Sequence, residues 1–160
     1  MKRPKPDTTA VLDGLRRVVK ALRENSRAAE QTLGISGAQL FVLDALSGEQ
    51  GLSLSEVAAR TRTHQSSVSV VVSRLVSAGL VRRVRAGDDA RRLELRLTAR
   101  GRALRSKAPQ AAQHGLIDAV ERLPAPQRRA LAEALGRVCA LMDLPRTAPA
   151  MFFEEARRHE

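Results

Sequence analysis

His64, Gln65, Ser66, Ser67 and Ser69 form a run of short or planar hydrogen-bonding groups, and Asp89, Arg91 and Arg92 form a charged set further along. Glutamine can pair with an adenine edge through a donor and an acceptor, serine with several base edges or a phosphate, and arginine forks onto guanine or phosphate. Covalent or acid-base catalysis would need other groups. No glycine-rich phosphate loop and no nucleophile-base pair is present, and three histidines (His64, His114, His159) with one cysteine (Cys139) leave no metal-ligand cluster at usable spacing. We therefore expect no enzyme, metal or cofactor, but recognition of a polyanion.

The charge agrees with such a partner. The 160 residues carry 28 Lys+Arg against 17 Asp+Glu, a formal charge of +11, and only Lys2, Lys5, Lys20 and Lys107 are lysines. The positive charge is mostly guanidinium, suited to bidentate contact with phosphate. The plain alternative is a solvated arginine-rich surface. A hydrophobic fraction of 43% with three phenylalanines and neither Trp nor Tyr suits packed helices. No apolar run approaches the roughly 18 residues of a membrane span, and residues 1–7 lack the apolar centre of a signal peptide. The expected location is the cytoplasm.

The elements that must position these groups follow from periodicity and capping. Val11, Leu15, Val18 and Leu22 recur at helical spacing, widened by Leu12 and Val19, and predict a long helix from about Thr8 to Glu30. Ser36 with Gln39, and Ser53 with Glu56, have capping-box spacing and open a second helix, ending at Ser47-Gly48, and a third through about Arg60. A turn at Thr61, Arg62 and Thr63 leads to a helix from about His64 to Ala78, with Val68, Val71, Val72 and Leu75 inward and Gly79 as the left-handed stop. Its polar start offers free N–H groups and a positive dipole end to phosphate. Leu80–Ala86 and Arg92–Thr98 bracket a Gly87-Asp88-Asp89 turn, with Leu93, Leu95 and Leu97 on one face of the second strand. Thr98 caps a further helix, which Pro109 kinks or interrupts. After Pro124-Ala125-Pro126 a last helix carries Leu131, Leu135, Val138 and Met142 and ends near Leu144-Pro145. The fold class is mainly α with a small β-hairpin: a winged helix-turn-helix with long N- and C-terminal helices.

Asp89-Ala90-Arg91, then Leu97-Thr98-Ala99-Arg100-Gly101, together with Arg74-Leu75 and Gly79-Leu80-Val81, resemble the wing and its flanks in the MarR family of bacterial winged-helix transcriptional regulators. The resemblance spans the chain from the first helix to the last. It implies that Arg91 enters a minor groove, where narrow walls enhance negative potential, with Asp89 orienting it. A solvated hairpin ion pair is the alternative. Arg92 would contact phosphate or face solvent. Gln65, Ser66, Ser67 and Ser69 fall where the family presents groups to bases and phosphates, while Val70 stands where many members carry a basic residue. Arg62, Thr63 and His64 are phosphate candidates, as is Arg74, which could equally serve an internal salt bridge.

The resemblance also implies a homodimer reading two half-sites about one helical turn, roughly 34 to 36 Å, apart on double-stranded DNA. Val11, Leu15 and Val18, Leu131, Leu135 and Val138, and Phe152 and Phe153 are the interface candidates; intramolecular core is the competing reading. The division expected is a basic arm over 1–7, an N-terminal dimerisation helix over 8–32, the DNA-binding domain over 33–100 and C-terminal dimerisation helices and tail over 101–160. Many relatives release DNA when a small phenolic or lipophilic ligand fills the cleft between the dimer helices and the DNA-binding lobe, so a ligand-responsive repressor is expected. A sequence-tolerant architectural binder and a winged helix serving protein contacts are the alternatives. Cys139, among Val138, Ala140 and Leu141, reads as a buried inert thiol, and Asp118, Glu121, Glu133 and Asp143 as solvated helix faces.

Overall fold

Side-chain caps open the second and third helices. The computed structural model describes residues 5–48, 50–85 and 93–154. Helix α1 spans Pro6–Leu33 and stops at Gly34, whose φ of 69° is the left-handed conformation. Ser36 then accepts from the Gln39 N–H at 3.2 Å while its own N–H donates to Gln39 Oε1 at 2.8 Å, opening α2 (Gly37–Ala45). The same reciprocal box, Ser53 with Glu56, opens α3 (Leu54–Thr61). Helix α4 (Gln65–Ser77) follows after the Arg62 turn, and Gly79 (φ 69°) sends the chain into the hairpin.

Strands β1 (Val81–Arg85) and β2 (Leu93–Leu97) pair antiparallel, Val81 opposite Leu97 and Arg85 opposite Leu93. Leu52 adds a short third rung, exchanging both backbone hydrogen bonds with Leu95. Leu95 and Leu97 are buried as their alternation requires, but Leu93 is 55% exposed. It lies on the same face, at the level where the ribbon has left the core and its cross-strand partner is Arg85. Thr98 joins hairpin and helix: its hydroxyl accepts from the Gly101 N–H at 3.0 Å and donates to the Gly79 carbonyl at 2.7 Å. A Cβ at Gly101 would overlap the Leu80 carbonyl oxygen, so the close approach of α5 (Ala99–Lys107) to the hairpin requires glycine there.

The core lies among α2, α3, α4 and the hairpin, around Leu40, Leu43, Val57, Val68, Val71 and Leu75. Ala108 is extended before Pro109, separating α5 from α6 (Ala112–Arg122); Pro124 and Pro126 then start α7 (Ala125–Leu141).

Two expectations for the C-terminal region are corrected. Cys139 is exposed, because α7 has no buried residue in the single chain. The last helix ends at Leu141, not near Leu144; Asp143 turns into the left-handed region (φ 52°), and the chain returns until Met151 is buried in the core.

Candidate nucleic-acid interface

The α3–α4 turn aims α4. Arg62 adopts φ 52°, and the Thr61 hydroxyl donates to the Val57 carbonyl at 2.8 Å and lies 2.6 Å from that of Thr63. These bonds pin a tight turn between two short helices, leaving the N-terminus of α4 projecting. His64 is its N-cap and makes no side-chain cap, so the first-turn N–H groups remain available to an anion. His64, Gln65 and Ser66 are exposed there, and Thr63 is half-buried.

Further along α4, Ser69, Val70, Ser73, Arg74 and Ser77 line one open groove of about 750 Å³. Arg74 forms no ion pair among the described residues and reaches this groove, which leaves its guanidinium for an external partner. Ser73 and Ser77 were missed by sequence reasoning, although their spacing from Ser69, four and eight positions, already places them on its face. Val70 presents an apolar surface in the same groove. Arg82, Arg83 and Arg85 on β1, also missed, are exposed along the hairpin and extend the positive surface beside α4. The charge on that strand was visible in the sequence; which face it occupied was not.

Two expected contacts are redirected. Ser67 is buried, and its hydroxyl donates to the Pro149 carbonyl at 2.7 Å instead of facing outward. The side of the first turn that carries Val68 and Val71 toward the core takes Ser67 with it. Arg62 forks onto Glu121 Oε1, through Nη2 at 2.9 Å and Nε at 3.2 Å, because its left-handed backbone directs the side chain toward α6. Glu121 is therefore an ion-pair partner and not an isolated solvated acid, although both side chains are more than half exposed and such pairs contribute only about 0–1 kcal/mol. Asp89, Arg91 and Arg92 lie outside the described residues.

Val11, Leu15 and Val18 on α1 and Leu131, Leu135 and Val138 on α7 are all exposed. Phe152 is exposed and Phe153 half-buried, their rings 6.4 Å apart. Between α6 and the α3–α4 turn lies a cavity of about 100 Å³, lined by Phe41, Thr61, Gln113, Leu116, Ile117 and Met151 among others. It adjoins a groove of about 630 Å³ edged by Arg62, Val120, Glu121 and Arg128.

A buried charged cluster, missed in the sequence, fastens α2 to the α5–α6 junction. Asp44 forms an ion pair with Arg105, accepts from the Ala111 N–H at 3.0 Å, and faces His114 Nδ1 at 3.4 Å. The His114 ring stands edge-on to Phe41. Burial raises the Asp44 carboxyl above its ordinary pKa, opposed by the Ala111 N–H, by the Arg105 guanidinium and by the facing His114.

The MarR family model matches residues 33–92. The HTH-type transcriptional repressor Rv2887 of Mycobacterium tuberculosis is 35% identical over 115 residues, covering 72% of this chain and 83% of that protein. Among solved structures, a MarR/EmrR family transcriptional regulator from Acinetobacter sp. ADP1 superposes with a TM-score of 0.58 at 19% identity, covering 88% of this chain and 99% of its own. BpsR of Bordetella bronchiseptica does so with a TM-score of 0.55 at 22% identity, covering 86% and 96%. Those two likenesses establish the winged-helix fold, and the mycobacterial repressor carries the kinship in sequence. The chain belongs to the MarR family of DNA-binding transcriptional regulators.

Proposed function

We propose that the chain is a homodimeric, ligand-responsive repressor that reads a pseudo-palindromic operator. The observation that carries this reading is the projecting start of α4, with Gln65 and Ser66 exposed beside free backbone N–H groups, in a chain whose α1 and α7 leave apolar stripes uncovered. Gln65 and Ser66 read base edges; Ser69 and Ser73 serve bases or backbone along the groove; Thr63, His64 and Arg74 hold phosphates. Asp89, Arg91 and Arg92 act at the wing. Residues 33–100 are the DNA-binding lobe, and residues 8–32 and 101–160 bring two lobes together, with Val11, Leu15, Val18, Leu131, Leu135, Val138, Phe152 and Phe153 at the interface.

The cavity between α6 and the α3–α4 turn is the effector site in this reading. Its lining is apolar, Phe41, Leu116 and Ile117, with Arg62 and Arg128 at the adjoining groove, a composition suited to a small aromatic anion. BpsR, of the same fold, has its DNA binding regulated by 6-hydroxynicotinic acid. The mycobacterial relative is a repressor, which favours repression here.

Selection of bound sequences from a random DNA pool, at physiological salt with excess competitor, tests the proposal. A near-palindrome with half-sites about one turn apart is expected. Salt-sensitive binding without a motif would favour a sequence-tolerant architectural binder, a reading that Val70 supports by placing an uncharged side chain in the α4 groove.

A further inference from the structure

After α7 the chain turns back and enters the space between α6 and the start of α4, seated by contacts to two elements. Ser67 Oγ on α4 donates to the Pro149 carbonyl at 2.7 Å, and Gln113 Nε2 on α6 donates to the Phe152 carbonyl at 3.1 Å. Between these anchors Met151 is only 4% exposed and lines the 100 Å³ cavity. Ser67 and Gln113 are buried with the tail seated, so its departure would remove the acceptor of each and uncover both. One short segment thus touches both the cavity and the first turn of the helix that carries Gln65 and Ser66.

We infer that the segment 149–152 is a built-in plug of the cleft: it holds the first turn of α4, and a small-molecule ligand must displace it to enter. The inference rests on the cleft being the effector site, as proposed above. A ligand that binds only when Met151 is out has its apparent affinity lowered by the fraction of chains in that state. Its binding favours the displaced arrangement, in which Ser67 has lost its acceptor and the first turn of α4 its restraint. Ligand and DNA therefore oppose each other through the tail.

Because the chain has three methionines, methyl-labelled methionine gives Met151 a resolvable NMR signal, assigned with Met151→Leu. The probe is 8-anilinonaphthalene-1-sulfonate, an aromatic anion that fluoresces in apolar sites. In the full chain the Met151 methyl should show contacts to cavity side chains and move to an exposed environment as the probe is added. Met151→Ala should bind the probe more tightly and bind DNA about 2- to 10-fold more weakly, the range set by one lost restraining hydrogen bond. Met151→Leu, of similar bulk, should retain both wild-type values. Unchanged probe affinity in Met151→Ala, or probe binding with the Met151 methyl unmoved, overturns the inference. Should Met151→Ala fail to fold, the wild-type methyl displacement decides alone. Probe-driven displacement in a protein that binds no DNA would uphold the plug and remove the regulatory reading of the cleft.

Discussion

Helix α2 buries eight of its nine residues, whereas α7, with Leu131, Leu135, Val138 and Leu141 along it, buries none of its seventeen. Both are rich in apolar side chains; they differ in whether the chain itself supplies a second surface. For α2 that surface comes from α1, α3, α4 and α5. For α7 and the N-terminal half of α1 it does not. A set of large apolar side chains left open on two helices costs solubility and gains nothing until another surface removes it from water. Among the described residues the helices around α4 are packed by their own chain, whereas the apolar side chains of α1 and α7 are left open, as the proposed homodimer requires.

Leu135→Asp should have the largest effect, separating the dimer while leaving the lobe folded, because a charge in a desolvated interface costs several kcal/mol; sedimentation velocity reads the loss of association and circular dichroism the retained helices. Asp44→Ala should act the opposite way, destabilising the lobe by about 3–5 kcal/mol in urea unfolding, since it leaves Arg105 and the Ala111 N–H without their buried partner. The pH dependence has a definite sign. Burial raises the Asp44 pKa above its ordinary 3.8, so the folded state holds that proton more tightly than the unfolded state. The group's contribution to stability therefore falls as pH rises from 3.8 through the folded pKa, and the advantage of wild type over Asp44→Ala should widen on acidification through that window. Widening toward neutral pH instead would contradict the assigned cause.

Gly101→Ala should come next, lowering stability by about 1–3 kcal/mol through overlap with the Leu80 carbonyl, measured as a fall in the denaturation midpoint with an unchanged slope. Arg91→Ala should weaken operator binding by about 1–3 kcal/mol without affecting dimerisation. An unchanged binding isotherm would remove the wing from the reading surface.

Local signals in the sequence were sufficient wherever the controlling interaction was local. Ser36 with Gln39, Ser53 with Glu56, Gly79 as the helix stop and Thr98 as the next cap each depend on groups within a few positions, and all form as their spacing predicts. What was illegible depends on distant partners. Asp44 reads as an ordinary helix acid until Ala111, 67 positions later, donates to it and Arg105 closes over it. Ser67 shares its residue type with Ser66 and Ser69, and only the return of Pro149, 82 positions later, turns it into an internal contact. Arg62 and Glu121 met for the same reason, across a fold the motif does not encode. Cys139 shows the converse: its apolar neighbours argue for burial, and among the described residues α7 meets no surface that buries it.

The most direct measurement is the mass of the full chain by sedimentation equilibrium, free and with a selected operator duplex. Twice 17.4 kDa for the free protein, and two chains on each duplex, are expected if a second copy covers α1 and α7. A free monomer that binds DNA as one chain would contradict the account at its centre, because the exposed stripes on those helices would then have some other occupant.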